Sequence, residues 1–245
     1  MTVTGLEERL ALAYAAYRLK DEPRVGWVMH GVAGPESVAA HSWGTAYLCL
    51  LFAADAGVDL GRALAIALVH DLAEATTGDF AARAAATDRP VSEAEKARLE
   101  RDAIAVLHDV AEAETGDIAA RADAADRDLD EAEKARRERA AIARLLPDEV
   151  ADLRALWLAY EERADAEAVF VRDMNLIDMC LQALLYEREA RYDADVQVPS
   201  EGGHRHLDEF FLSAEWRLEG EVAKRLFDSV RLEYEKARAQ RRTIG

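Results

Sequence analysis

The stretch LGRALAIALVHDLAEATTGD, residues 60–79, decides the fold. Its apolar residues recur at helical spacing, and the TTGD after Ala75 is a turn signal, so the pattern predicts a helix over about 60–75. His70 and Asp71 are adjacent near its end. Neighbours in a regular helix point about 100° apart, so such a pair serves one site only where the helix stops. The turn at Gly78 supplies that stop. Glu74 lies four residues after His70 and shares its face, where a carboxyl can pass a proton to a leaving oxygen. Asp79, just past the turn, is placed to orient a water or a metal ligand.

Helices are expected on both sides of this stretch. Upstream, Val38–Ala56 has helical spacing, with Ser37 as its N-cap, and it carries His41. A loop rich in Gly and Pro, RVGWVMHGVAGPES (24–37), precedes it, and Leu6–Leu19 shows a further helical pattern. Downstream, a long helix is expected over about Asp165–Arg191, carrying Asn175 and Asp178. An amphipathic helix over about Glu219–Arg241 closes the chain. No set of alternating strands is present, so the expected fold class is all-α.

The 245 residues are 51% hydrophobic, enough for one sizeable core. The net charge of −17 repels phosphate backbones and argues against extended nucleic acid as a partner. A small anionic substrate then needs local positive charge, from a metal or from arginines. No apolar run reaches the length of a membrane span, and MTVTGLEERL lacks the order of a signal peptide. Cys49 and Cys180, the only cysteines, fall in apolar helical patterns and read as reduced core residues of a cytoplasmic protein.

The chain also contains a tandem repeat. Residues 70–107 and 108–145 are identical at 27 of 38 positions, from HDLAEATTGD and HDVAEAETGD to a shared EAEKAR. Two units are too few to stack a solenoid core. The expectation is one domain over 1–245, with the extra unit inserted as a helical hairpin. Only His70 follows an unbroken apolar helix, Leu60–Val69, from the helix of His41. His70–Asp71 is therefore taken as the working pair, and His108 and Asp109 as part of a solvated extension. The charged runs 83–101 and 121–139 read as solvated helix faces.

His41, His70 and Asp71 offer two imidazoles and a carboxylate, a donor set that suits Mn, Fe, Co, Ni or Zn. In order and spacing, PESVAAHSW (35–43), ALVHDLAEATTGD (67–79), EAEKARRE (131–138), LWLAYEER (156–163) and FVRDMNLIDMCLQALLYE (170–187) resemble the HD-domain family of metal-dependent phosphohydrolases. RVGW (24–27) is similar to the substrate segment of that family's 5′-deoxynucleotidase branch. The resemblance implies an all-α fold and one divalent ion (Mn, Co, Fe, Ni, Zn or Mg) held by His41, His70, Asp71 and a distant aspartate. It also implies work at the reacting phosphate and water for Glu74 and Asp79, and a phosphate and sugar site at Arg24 and Trp27. The implied activity is hydrolysis of a deoxynucleoside 5′-monophosphate to nucleoside and phosphate.

The distant aspartate falls at Asn175, a neutral and weaker oxygen donor. Asp178, three residues on and on the same face, is expected to support the ion as its carboxylate, while Asp173 should face elsewhere. His204 and His206 form an H-x-H pair with no evident partner, and His30 sits in the loop after Trp27. A homodimer is expected, with Val222, Leu226, Val230 and Tyr234 as its apolar stripe. Two other readings stay open: a nucleoside di- or triphosphate or modified-nucleotide substrate, and a catalytically weakened nucleotide-binding protein.

Overall fold

The structure, a computed structural model, describes residues 3–79, 81–82, 128–129, 131–146, 150–192 and 206–244. Helix α1 (Val3–Tyr17) runs into a 3-10 turn, Arg18–Lys20, and is followed by a short α2 (Val25–Met29). Next come α3 (Val38–Ala56), α4 (Leu60–Val69) and α5 (Glu74–Thr77). Beyond the repeat lie α6 (Glu131–Leu145), α7 (Ala151–Glu162), α8 (Ala166–Arg188), α9 (Asp208–Glu215) and α10 (Glu221–Ile244). A two-residue parallel ladder pairs Ala81 with Asp128 and Ala82 with Leu129. The fold is all-α, as expected.

Local signals set several of these bounds. The Ser37 hydroxyl accepts the Ala40 amide at 3.2 Å to start α3, and the Asp59 and Asp165 side chains start α4 and α8 in the same way. Helix α8 is buried on most of its faces, as a central helix must be, and packs on α3, α4, α7, α9 and α10. A large apolar cluster surrounds it. A smaller one joins Leu19, Val38, Val69, Leu72, Ala73 and Ala75 to Ala141, Ile142, Leu146 and Trp157. Ile66 and Ala67 belong to the first cluster and Val69 and Leu72 to the second, so the His70–Asp71 pair sits where the chain crosses between them. Cys49 and Cys180 are both free and buried.

Four expectations need correction. The helix expected over 60–75 stops at Val69, and hydrogen bonds three residues apart (Leu72 to Val69, Glu74 to Asp71, Ala75 to Leu72) tighten the next turn before α5. Gly78 then ends α5 at φ +76°, a backbone region closed to most side chains. The loop 24–37 contains α2, because the Asp79 carboxylate accepts the Val25 amide at 2.6 Å and caps that helix from 54 residues away. The stripe on α10 faces largely inward: Val230 and Tyr234 are buried and Leu226 packs on the same cluster. Lastly, the run 121–139 is not solvated throughout, since Lys134 and Glu138 pack into the site described below. His108, Asp109, His204 and the expected hairpin lie outside the described residues.

Candidate metal centre

Helix α3 turns His41 inward, fully buried, one turn after the Ser37 cap. Its Nδ1 lies 2.7 Å from Asp178 Oδ2 on α8, which makes Nδ1 the proton-bearing nitrogen and leaves a lone pair on Nε2. His70 Nδ1 lies 2.8 Å from the Ala67 carbonyl, which can only accept, so its Nε2 also keeps a lone pair. Both Nε2 atoms are buried without a hydrogen-bond partner. They face one oxygen, Asp71 Oδ2, at 3.6 Å from His41 and 3.1 Å from His70. Two lone pairs and a carboxylate converging in a buried space repel one another unless a cation joins them. The donor set of two nitrogens and one oxygen fits a divalent transition metal.

The electrostatics agree for His41 and Asp71. Burial, with Arg24 next, pushes His41 down to about 3, so it stays neutral, as a ligand must. Burial would raise Asp71, but His70, His41 and Arg24 together hold it below the usual carboxylate range. His70 is raised instead: burial works to lower it, but the Asp71 charge 3.1 Å from Nε2 outweighs burial, so a proton there competes with an ion for the same place.

Asp178 sits on the far side of His41 from Asp71, where its carboxylate orients the imidazole; burial pushes it up to about 7. With Glu36 and His41 it forms a second group of metal-type donors, on the Nδ1 side of the same ring. Asn175 instead donates its Nδ2 to the Tyr160 hydroxyl at 2.6 Å, and the Tyr160 ring lies 5.1 Å from that of His70. Asp173 does face elsewhere: it accepts the amides of Glu219 and Gly220 before α10.

Gly44 makes room for Asp178, since a Cβ there would overlap its carboxylate. Gly44→Ala is therefore expected to displace Asp178 and weaken Mn2+ binding about 10- to 100-fold, as loss of a ligand's supporting residue does. Asp178→Asn, which keeps an acceptor oxygen, should cost less. Unchanged affinity in the Gly44 variant by calorimetric titration would contradict this placement.

Glu74 lies one turn beyond Asp71 with its side chain fully enclosed. Burial, then Asp79 and Asp71, raise it well above its ordinary value, and its Oε2 has no hydrogen-bond partner. A carboxyl so placed keeps its proton to higher pH than an exposed glutamate does. Its Oε1 meets the Lys134 ammonium of α6 at 3.1 Å, with Asp79 Oδ1 3.9 Å and Glu138 Oε1 3.5 Å from that nitrogen. A cleft of about 170 Å³, lined by Arg18, Asp21, Glu22, Glu74 and Ala75, opens beside it. Arg24, the N-cap of α2, holds its Nη1 3.4 Å from Asp71 Oδ2. Trp27 is only 1% exposed; its Nε1 donates to Glu36 at 2.9 Å and its ring packs on Tyr186 and Phe210. It thus packs α2 onto the core rather than presenting an open face.

His30 is tied to Glu209 at 2.9 Å and to the Gly26 carbonyl, and His206 is buried beside Glu187 and Tyr192, so both hold structure. Lys134, Glu36 and Tyr160 were not singled out by sequence reasoning. All three stood inside quoted motifs, but nothing in their spacing marked them.

The buried acids give a stability prediction. Burial pushes Asp178 and Glu138 up to about 7, far above their unfolded values. Through that range the folded state binds more protons than the unfolded one, so stability falls as pH rises. His41, lowered to about 3, has the opposite sign but acts only below its unfolded value of 6.5. The metal-free protein should therefore melt at a lower temperature at pH 8 than at pH 6.5; a rise would refute this.

Comparison with known proteins identifies the family. The family model for the HD domain matches residues 16–105 and again 101–210. Each match takes in one repeat copy; the first includes His41 and the second includes Asn175 and Asp178. The chain is 31% identical over 199 residues to 5′-deoxynucleotidase HDDC2 of Danio rerio, covering 81% of this chain and 74% of that one. It is 29% identical over 179 residues to 5′-deoxynucleotidase hdd1 of Schizosaccharomyces pombe, covering 73% and 72%. Among solved structures, the PH0347 protein of Pyrococcus horikoshii aligns at a TM-score of 0.55 with 26% identity, over 94% of this chain and 98% of that one. Two imidazoles and an aspartate at a helix end, with these matches around them, place the chain in the HD-domain family of metal-dependent phosphohydrolases.

Proposed function

We propose that this protein hydrolyses deoxynucleoside 5′-monophosphates to nucleoside and inorganic phosphate. The observation that carries the reading is the convergence of the partnerless Nε2 atoms of His41 and His70 on Asp71, beside a buried Glu74 that is raised above its ordinary value. His41, His70 and Asp71 would hold a divalent ion, which supplies positive charge to a phosphate oxygen and acidifies water. Arg24 offers its planar fork to the remaining phosphate charge. Glu74 gives its proton to the 5′ oxygen as the phosphorus–oxygen bond breaks, so the nucleoside leaves as a neutral alcohol. Asp79 holds the amide end of α2 and thereby the position of Arg24. The preference for a deoxy sugar is supported by the names of the two relatives, because Trp27 presents no open face to a ribose.

The test is phosphate release from deoxynucleoside and ribonucleoside mono-, di- and triphosphates, compared side by side with Mn2+ or Co2+. Release from the deoxy monophosphates at the highest kcat/KM supports the proposal, and preference for a di- or triphosphate rejects it. A second reading, weak metal retention with nucleotide binding only, is favoured by the commitment of Asn175 to Tyr160. Asn175→Asp would then raise both metal content and turnover. We further infer a homodimer in a reducing compartment such as the cytoplasm. The exposed Trp43 and Tyr47, stacked at 5.3 Å on α3, are better placed for its contact than α10. A monomeric mass by light scattering would reject the dimer.

A further inference from the structure

The contacts of Lys134 cross the repeat. Glu74 and Asp79 belong to the first copy (70–107), whereas Lys134 belongs to the second (108–145). The first copy has its own lysine in the same EAEKAR string, Lys96, 38 residues earlier. Other contacts cross in the same sense. The ladder joins Ala81 and Ala82 of copy one to Asp128 and Leu129 of copy two, and the smaller apolar cluster joins Leu72, Ala73 and Ala75 to Ala141 and Ile142. Among the described residues, the opening segment of the first copy thus packs on the closing segment of the second.

We propose that the catalytic site is completed across the repeat, with Lys134, and not Lys96, as the residue that positions Glu74 and Asp79. The physical need is plain. Asp71, Asp79 and Glu138 crowd carboxylates, and Glu74 a fourth carboxyl group, into a largely buried site that on this reading also admits a phosphate dianion. Uncompensated, such charges cost several kcal/mol each, on the order of the usual penalty for a buried ion. Arg24 answers Asp71 on one side; the Lys134 ammonium answers Glu74, Asp79 and Glu138 on the other. Held by the ammonium through Oε1, Glu74 keeps Oε2 free for the transferred proton. Lys134 acts through these carboxylates and is a positioning residue.

The catalytic part of the test rests on the reading above. In the full chain, Lys134→Met, Lys134→Arg and Lys96→Met are compared for kcat, KM and Mn2+ affinity with a deoxynucleoside 5′-monophosphate. Lys134→Met should lower kcat about 30- to 100-fold, part of what a positioned acid contributes, with Mn2+ affinity within about threefold, since the first ligands are untouched. Lys134→Arg should recover much of the loss by keeping the charge, and Lys96→Met should stay within about twofold of the parent. A loss with Lys96→Met, or less than a threefold effect with Lys134→Met, overturns the proposal. Should Lys134→Met fail to fold, the arginine and Lys96 variants still decide by the same criteria.

A second readout needs no substrate. Urea midpoints of Glu74→Gln combined with Lys134→Met should shift by less than the sum of the single shifts, whereas Glu74→Gln with Lys96→Met should be additive. Additivity for Lys134 with coupling for Lys96 overturns the proposal even if no nucleotide is hydrolysed. Absence of turnover together with the expected coupling would instead reject only the assigned reaction.

Discussion

Replacing His41 or Asp71 by alanine is expected to abolish metal binding and hydrolysis while the helices persist. Each change removes one of three donors that lie within 4.8 Å of one another. Losing a donor should exceed the roughly 10- to 100-fold cost of losing a residue that merely supports one. His41→Ala is the cleaner variant, because its partner Asp178 can take a proton when stranded: burial already pushes that carboxyl up to about 7. Asp71→Ala also strands Arg24, whose Nη1 faces the same oxygen, so some loss of stability should accompany it. Metal content by elemental analysis, turnover, and far-ultraviolet circular dichroism on the same preparations check all three statements. Full turnover in either variant would remove the site from this position.

The second large effect concerns the repeat. His70→Ala with Asp71→Ala should eliminate turnover, whereas His108→Ala with Asp109→Ala should keep most of it. His70 and Asp71 face His41 across a buried gap, and α4 joins them without a break to the hairpin with α3. His108 and Asp109 repeat the dipeptide but are reached from that hairpin only through the first copy. If the copies exchange, each double variant would keep partial activity and only the quadruple variant would be dead. Loss in the His108/Asp109 variant with normal turnover in the His70/Asp71 variant would reverse the assignment.

What could be read from the chain follows the range of the forces involved. Helix α3 was legible from Ser37 to Ala56 because its cap and its apolar spacing are local. The His70–Asp71 pair was legible because a turn signal follows it closely. Helix α2 was not, since the group that caps it, Asp79, stands 54 residues away. Lys134 was hidden for the same reason: in sequence it is one charge in a charged helix, and only packing brings Glu74, 60 residues distant, against it. Asp178 was expected at the ion from its helical phase. Phase cannot tell which side of His41 it reaches, and that depends on the close approach of α3 and α8 at Gly44. The stripe on α10 read equally well as core or contact, and most of it packs inward against the core around α8.

Metal dependence of turnover bears on the whole reading most directly. The purified protein is stripped with chelator and then titrated with Mn2+ or Co2+ while phosphate release from a deoxynucleoside 5′-monophosphate is followed. Stripped protein should release none, and activity should return in full at about one ion per chain, the number that one set of three convergent donors can hold. Turnover that survives stripping, or a chain that binds no ion while still hydrolysing the nucleotide, would contradict a metal-dependent site at His41, His70 and Asp71.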